Sequence, residues 1–153
     1  MNINSIFTLY YIHMQTDNIN WDNTIEFTYP ITSGYVIKVY DGDTITIASK
    51  MPYENSPLFR FQVRLNGIDT PEIKSKNENE KRLAKNARDS LSQLIMHKII
   101  TLQNVKNEKY GRILADVYLD DLHINQWMID QQFAVAYDGK TKQSPISWTA
   151  KPE

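Results

Sequence analysis

Several short stretches of the chain alternate hydrophobic with polar residues, which is the pattern of strands that bury one face of a sheet. The clearest stretch covers residues 59–65, where every second residue from Phe59 to Leu65 is hydrophobic and Arg64 lies on the polar face. Four further β-rich runs cover Tyr35–Tyr40, Thr44–Ala48, Ile99–Val105 and Arg112–Leu119. The pattern therefore predicts five short strands.

A period of three to four residues marks a long helix over Glu78–Lys98. Its hydrophobic stripe consists of Leu83, Ala87, Leu91, Leu94 and Ile95. A second, shorter helix is predicted over Ile124–Phe133. One helix after the third strand and one after the fifth indicate a mainly β (α+β) fold built on a small barrel. A parallel sheet fits less well, because it would need a crossover helix between each pair of strands.

The sequence outside these elements suggests a single core with two appendages. Residues 1–33 are rich in asparagine and aromatic residues, and we expect an N-terminal extension there with a short strand at Thr24–Tyr29. The domain itself is expected to span residues 34–138. Residues 139–153 carry Gly139, Pro145 and Pro152, so we expect a loose C-terminal tail.

The composition removes several classes of chemistry. The chain has 153 residues and no cysteine, which excludes disulfides, thiolate zinc sites and cysteine nucleophiles. Only three histidines are present, which argues against a histidine-rich metal site. The formal net charge of −1 argues against a protein held to nucleic acid by overall charge, although a local basic patch is compatible with it.

Targeting signals are not recognised in the sequence. No Lys or Arg precedes Lys38, and the apolar run from Ile6 to Met14 is interrupted by Thr8 and His13, so we expect no secretory signal peptide. No apolar segment of 18 residues is present either, so no membrane partner is expected.

Charged residues gather at the mouths of the predicted loops. They are Asp41 and Asp43 after the first strand, Asp69 and Glu72 after the third, and the nearby arginines Arg64 and Arg112. Carboxylates brought together repel one another, so they stay apart in water, share protons or hold a cation. A site of two or three carboxylates with oxygen ligands only favours calcium over magnesium. Two arginines beside such a cation indicate a phosphate ligand.

Each of these features also has an ordinary structural explanation. Asp41-Gly42 is a common turn dipeptide, since glycine tolerates the positive φ that a tight hairpin requires. The segment Thr70-Pro71-Glu72 is typical of loops that enter helices. Arginines on outward faces, such as Arg64 and Arg112, are commonly solvated. Tyr110 and Tyr137 are ordinary rim residues, although an aromatic ring near a phosphate site can stack on a base.

The combination of three motifs, in this order and at these separations, closely resembles the staphylococcal nuclease (thermonuclease) family. The motifs are Val39-Tyr40-Asp41-Gly42-Asp43-Thr44, then Arg64-Leu65-Asn66-Gly67-Ile68-Asp69-Thr70-Pro71-Glu72, then Lys109-Tyr110-Gly111-Arg112. The likeness covers about residues 34–138 and includes Ile124-Asn125 and the segment that ends at Tyr137. It implies a five-stranded OB-fold barrel that hydrolyses phosphodiester bonds of DNA and RNA with one calcium ion, magnesium being the lesser alternative.

The resemblance also implies roles for individual residues. Asp43 and Asp69 would bind the metal, with the main-chain carbonyl of Thr70. Arg64, Glu72 and Arg112 would be catalytic, the arginines binding the scissile phosphate and Glu72 positioning or deprotonating water. The substrate-binding residues would be Lys109, Tyr110 and Tyr137.

Departures from the family pattern leave other functions open. The loop Ile73–Glu80 lacks the Pro- and Gly-containing lysine loop of the archetype, and Asp138-Gly139 follows Tyr137 where a second tyrosine is expected two residues on. We expect a monomer, cytoplasmic or virus-encoded and intracellular. The alternatives are a noncatalytic OB-fold module that binds single-stranded nucleic acid or protein, and a phosphodiesterase acting on small nucleotides.

Overall fold

A computed structural model describes residues 18–140 and 144–150 of the chain. The first 17 residues of the expected extension and residues 141–143 and 151–153 of the expected tail lie outside the described part. The strands are β1 (Ser33–Val39), β2 (Thr44–Lys50), β3 (Leu58–Leu65), β4 (Ile68–Asp69), β5 (Ile99–Asn107), β6 (Ile113–Leu119), β7 (Leu122–His123) and β8 (Val135–Ala136). The helices are α1 (Glu78–Ile95), α2 (Ile124–Asp130) and α3 (Ile146–Thr149). Within the described residues, no helix is both long and apolar enough to cross a bilayer.

The long strands form a closed barrel. They pair in the order β3-β2-β1-β5-β6, and β3 also pairs with β6. This closing ladder is parallel and joins Val63 to Ile113 and Leu65 to Ala115. With α1 after the third long strand and α2 after the fifth, the predicted α+β barrel of the OB type is confirmed.

The barrel interior is filled by the apolar face that alternation predicts on each strand. Val63 and Leu65 are fully buried, and α1 adds Ala87, Leu91 and Ile95 to the same core. The helix begins after Asn77, whose side chain accepts a hydrogen bond from the Glu80 N–H at 3.1 Å. α1 ends at Ile95, three residues before the predicted end at Lys98, because the backbone of His97 takes a positive φ of 61°.

The strand expected at Thr24–Tyr29 is absent from the structure. Residues 27–32, which we call the N-terminal strap, lie beside β5 without forming a regular ladder. Leu102 N–H donates to the carbonyl of Thr32 at 2.8 Å, and Ile31 is buried in the core. Further along, the ladder between β5 and β6 has an irregular register between Gln103 and Lys106.

The C-terminal segment is docked on α1, which corrects the expectation that it is loose. Trp148 on helix α3 is buried, with only 5% of its surface exposed. The amide side chains of Asn77 and Asn79 cap this contact by donating to the carbonyls of Thr149 at 3.0 Å and Trp148 at 3.2 Å. The prediction was wrong because it relied on the turn-forming residues of the tail. A single buried aromatic residue, such as Trp148, produces no periodic pattern in the sequence.

Candidate active site

The turn between β1 and β2 delivers two aspartates to one end of the barrel. Main-chain hydrogen bonds from Tyr40 N–H to the carbonyl of Thr44 close the turn at 2.9 Å. Gly42 does not take the positive φ predicted for it. Glycine is needed for another reason: a Cβ there would lie 2.9 Å from Thr70 Cγ2 and 3.0 Å from Ala87 Cβ. The close approach holds the turn against α1 and presents Asp43 at the start of β2.

Arg64, at the end of β3, lies between two of the predicted metal-binding carboxylates. Its Nη1 makes an ion pair with Asp43 Oδ2, and its Nη2 lies 3.8 Å from Asp69 Oδ1. Nη2 also donates to the carbonyl of Ile68 at 3.3 Å. Both aspartates are buried, at 7% and 6% exposure. The arginine therefore neutralises two carboxylates that would otherwise be costly to bury.

The short ladder between β4 and β8 fixes the position of Asp69. It pairs Asp69 with Val135, and Tyr137 N–H donates to the carbonyl of Gly67 at 2.9 Å. Gly67 has a φ of 75°, which allows the sharp turn between β3 and β4. The ladder also brings the Tyr137 ring over Arg64, with 6.0 Å between the guanidinium carbon and the ring centroid.

The electrostatics of this end of the barrel reflect carboxylate crowding. Burial, reinforced by the neighbouring charge of Asp43, raises the pKa of Asp41 from 3.8 to about 7. Burial acts to lower the pKa of Arg64, but the carboxylates of Asp43, Asp69 and Asp41 outweigh it, so the pKa is raised. The site therefore carries more negative charge than one arginine balances, a condition that favours a cation.

The donor set fits a hard cation only as a site of two carboxylates. Among residues 18–140 and 144–150, no group of three or more Asp, Glu, His or Cys side chains is arranged to hold a metal. The three-carboxylate alternative therefore has no support in the described residues. Asp43 and Asp69 present oxygen atoms alone, which suits calcium or magnesium. Since calcium takes six to eight oxygens, carbonyl groups and water would have to supply the rest.

The loop between β5 and β6 carries the second arginine. Arg112 Nε donates to Glu108 Oε2 at 3.1 Å, and the same oxygen accepts the Tyr110 N–H at 3.0 Å. Burial acts to raise the pKa of Glu108, but these hydrogen bonds outweigh it and lower the pKa. Lys109 Nζ lies 4.9 Å from the Tyr110 ring centroid, and the Arg112 guanidinium carbon lies 5.9 Å from it. The loop is thus a compact cluster organised by Glu108.

The N-terminal strap forms hydrogen bonds with the loop between β5 and β6. The Tyr29 hydroxyl donates to the carbonyl of Gly111 at 3.2 Å, and Asn107 Nδ2 donates to the carbonyl of Phe27. The Tyr29 ring packs edge-on against Phe27 at 5.3 Å and Phe61 at 5.9 Å, which anchors it to β3. The strap therefore links β3, which ends in Arg64, to the loop that precedes Arg112.

One open cleft of about 770 Å³ brings nearly all the predicted site residues together. Asp41 also lines it, and the predicted residues among its walls are Asp43, Arg64, Asp69, Glu72, Lys109, Tyr110, Arg112 and Tyr137. Thr70 does not line the cleft; it is buried, with its side chain beneath the β1–β2 turn. The roles assigned to these residues stay predictions, but their convergence on one cleft is a structural fact.

The supporting roles of three residues were not predicted from the sequence. Glu108 orders the arginine loop, as described above. Glu80, buried on α1, accepts the Glu72 N–H at 3.2 Å and the Ser75 hydroxyl at 2.5 Å. Asn125, also buried, ties α2 to β6 and to the turn after β3. Only Glu80 had a readable signal, since an Asn-x-x-Glu sequence at a helix start is typical of a capped N-terminus.

Comparison with known proteins places the chain in a family. A family described as "Staphylococcal nuclease homologue" matches residues 62–148, more than half of the chain. Similar proteins include an "uncharacterized endonuclease" of Escherichia coli, 29% identical over 73% of this chain and 68% of the relative. Another, of Haemophilus influenzae, is 36% identical over 67% of this chain and 51% of the relative. The thermonuclease of Staphylococcus hyicus is 32% identical over 66% of this chain and 57% of the relative. These names and the matched family support nuclease activity. By fold, cleft and sequence, the chain belongs to the staphylococcal nuclease homologues.

Proposed function

We propose that the protein is a calcium-dependent nuclease that hydrolyses phosphodiester bonds in DNA and RNA with little sequence specificity. The observation that carries this proposal is the cleft in which two arginines lie beside two buried aspartates. Guanidinium groups bind phosphate oxygens in pairs of hydrogen bonds, and they do so best where water is partly excluded. The relatives named endonuclease and thermonuclease support the same reaction.

The two arginines would act on the scissile phosphate from two neighbouring segments of the barrel. Arg64 comes from the end of β3, and Arg112 precedes β6, which pairs with β3 in parallel. Arg112 is already oriented by Glu108, so little conformational freedom is lost when it binds a phosphate. Hydrogen bonds from such fixed donors to the charge that builds up on the phosphate stabilise the transition state.

Glu72 would orient or deprotonate the attacking water. It lines the cleft, and its backbone is fixed by the bond from its N–H to Glu80. A carboxylate can perform this step when it is held close to the water and to the phosphate. The proton removed from water would pass to Glu72, and the leaving oxygen would take a proton from solvent.

Asp43 and Asp69, with the main-chain carbonyl of Thr70, would hold the calcium ion. When bound, a divalent cation supplies positive charge that offsets the charge developing on phosphate oxygens. The excess of carboxylates around Arg64 supports this assignment, because a cation would relieve the repulsion between Asp41 and Asp43. Lys109, Tyr110 and Tyr137 would contact the nucleotide on either side of the phosphate.

Cleavage of plasmid and single-stranded DNA and of RNA, with calcium or with a chelator, tests the proposal. Glu72→Gln and Arg112→Gln are each expected to lower kcat by about 10²–10³-fold while the fold is retained. Glu78→Gln and Arg82→Gln are matched controls, since both residues lie on α1 outside the cleft. Intact substrate at high enzyme and calcium concentrations would refute the nuclease assignment. Tight binding without cleavage under any divalent metal would instead indicate a noncatalytic binding module.

A further inference from the structure

The outer face of the β1–β2–β3 sheet lies next to the candidate active site and has no role in it. Register pairing aligns its outward residues in rows: Tyr35 with Ala48 and Arg60, and Lys38 with Thr46 and Gln62. We call the surface formed by these six residues the outer β1–β3 face. Its middle strand presents only the small side chains Thr46 and Ala48, so the face is flat between its flanking residues.

The outer β1–β3 face is positively charged in a chain that is slightly acidic. The three strands contain Lys38, Lys50, Arg60 and Arg64 and no carboxylate, although the whole chain has 18 Asp and Glu against 17 Lys and Arg. Lys38, Lys50 and Arg60 are exposed. Within residues 18–140 and 144–150, no carboxylate forms an ion pair with any of these three. The cations are therefore available to an external anion.

The face is continuous with the cleft through β3. Alternation along the strand places Arg60, Gln62 and Arg64 on one side, and Arg64 reaches into the cleft. At a rise of about 3.3 Å per residue, Arg60 lies about 13 Å from Arg64 along the strand. Cations at this spacing follow a line that starts at the proposed phosphate-binding arginine.

Exposed aromatic rings accompany the cations. Tyr35 is 43% exposed and Tyr40 is 47% exposed. Lys38 Nζ lies 5.6 Å from the Tyr40 ring centroid, so a cation and a stacking surface occur side by side. Nucleic-acid-binding surfaces for single strands combine a positive track for the backbone with aromatic rings on which unpaired bases stack.

We propose that the outer β1–β3 face binds the single-stranded segment of the substrate that extends from the scissile phosphate. The proposal rests on the proposed nuclease function and adds that unpaired polynucleotide is the substrate form bound there. The phosphates of the strand contact Lys38 and Arg60, and bases stack on Tyr35 and Tyr40. A dinucleotide fills the cleft alone and does not reach this face.

A double substitution on the face tests the proposal. Lys38→Gln with Arg60→Gln removes two cations, and Lys81→Gln with Arg88→Gln on α1 removes the same pair of residue types elsewhere. Binding of a fluorescent single-stranded DNA of about 20 nucleotides is measured by anisotropy at several salt concentrations, with calcium and in a Glu72→Gln background. Because each phosphate contact contributes about 0.7 to the slope of log K against log salt, the face variant should lose about 1.4 from that slope. The α1 variant should keep the wild-type slope.

Cleavage assays separate failure of the face from failure of the nuclease assignment. With the catalytic glutamate intact, the face variant should cleave a dinucleotide with unchanged kcat and KM and should show a higher KM for the long strand. An unchanged salt slope, or equal losses in the two double variants, would overturn the proposed face even if the wild type cleaves both substrates. If the wild type cleaves neither substrate, the nuclease assignment fails first, and the salt slopes still decide whether the face binds a single strand. Thermal unfolding of the variants checks that these exposed substitutions leave stability unchanged.

Discussion

Replacement of Asn125 by alanine should destabilise the protein through a single buried hydrogen-bond hub. Asn125 is 3% exposed and lies at the start of α2. Its Oδ1 accepts the Val117 N–H at 2.9 Å, and its Nδ2 donates to the carbonyls of Asn66 at 2.8 Å and Ala115 at 3.2 Å. The residue therefore joins a helix, the last barrel strand and the turn that follows Arg64.

The expected loss of stability depends on which polar groups are left without a hydrogen-bond partner in the variant. The carbonyl of Ala115 keeps its bond from Asn66 N–H at 2.9 Å, so it is satisfied in the variant. The Val117 N–H and the carbonyl of Asn66 each lose the bond made by Asn125. A buried polar group deprived of its partner costs about 1–3 kcal/mol. Two such groups give an expected decrease of about 2–6 kcal/mol in the free energy of unfolding.

Urea denaturation followed by far-UV circular dichroism measures this decrease, with Gln126→Ala as the matched control. Gln126 is the next residue on α2 and is exposed, and its side chain donates to Asp130 at 2.8 Å, so its removal should cost less than about 0.5 kcal/mol. Because the Asn66 turn follows Arg64, Asn125→Ala should also lower kcat, although Asn125 does not line the cleft. A loss below about 1 kcal/mol would refute the hub argument.

Three further changes test other parts of the structure. Gly42→Ala should destabilise the fold by about 1–3 kcal/mol in thermal or chemical unfolding, since the added Cβ would meet Thr70 and Ala87; an unchanged midpoint would show that the turn can move aside. Tyr29→Phe keeps the packed ring but loses the bond to the Gly111 carbonyl, so kcat/KM should fall a few-fold with little change in stability, and identical kinetics would exclude a role for the strap. Asp41→Asn should flatten the pH dependence of stability measured with a chelator. In the wild type, the pKa of Asp41 is raised from 3.8 to about 7, so the folded state binds the proton more tightly and stability falls as pH rises across that window. The variant should match the wild type near pH 4 and exceed it at pH 8; parallel curves would contradict this.

The elements of the barrel were predictable because they depend on neighbours in sequence. Alternation from Phe59 to Leu65 identified β3, and the helical period identified α1. The hydrophobic stripe predicted for α1 was only partly right. Leu83 lines a groove together with Trp148, whereas the neighbouring Ala84 is buried. A period reveals which side of a helix is apolar, but it does not distinguish two partners that cover neighbouring sides.

The supports of the site were not predictable, because they depend on contacts between distant segments. Nothing near Glu108 in sequence shows that it will orient Arg112 within a loop held by the strap. Thr24–Tyr29 forms no strand although its residues favour one, and hydrogen bonds link it instead to the distant residues Asn107 and Gly111. The close approach at Gly42 likewise depends on α1, which lies far along the chain.

The parallel ladder that closes the barrel has a consequence for when the candidate active site is completed during synthesis. Arg64 lies on β3 and Arg112 directly precedes β6, and these two strands pair only after β6 has been synthesised. Such long-range pairing forms late, because much of the chain must first be ordered. A nascent polypeptide that ends before residue 108 would lack Glu108, Tyr110 and Arg112, and we expect ribosome-bound intermediates of that length to leave RNA intact. Cleavage by such a truncated chain would show that one arginine is sufficient.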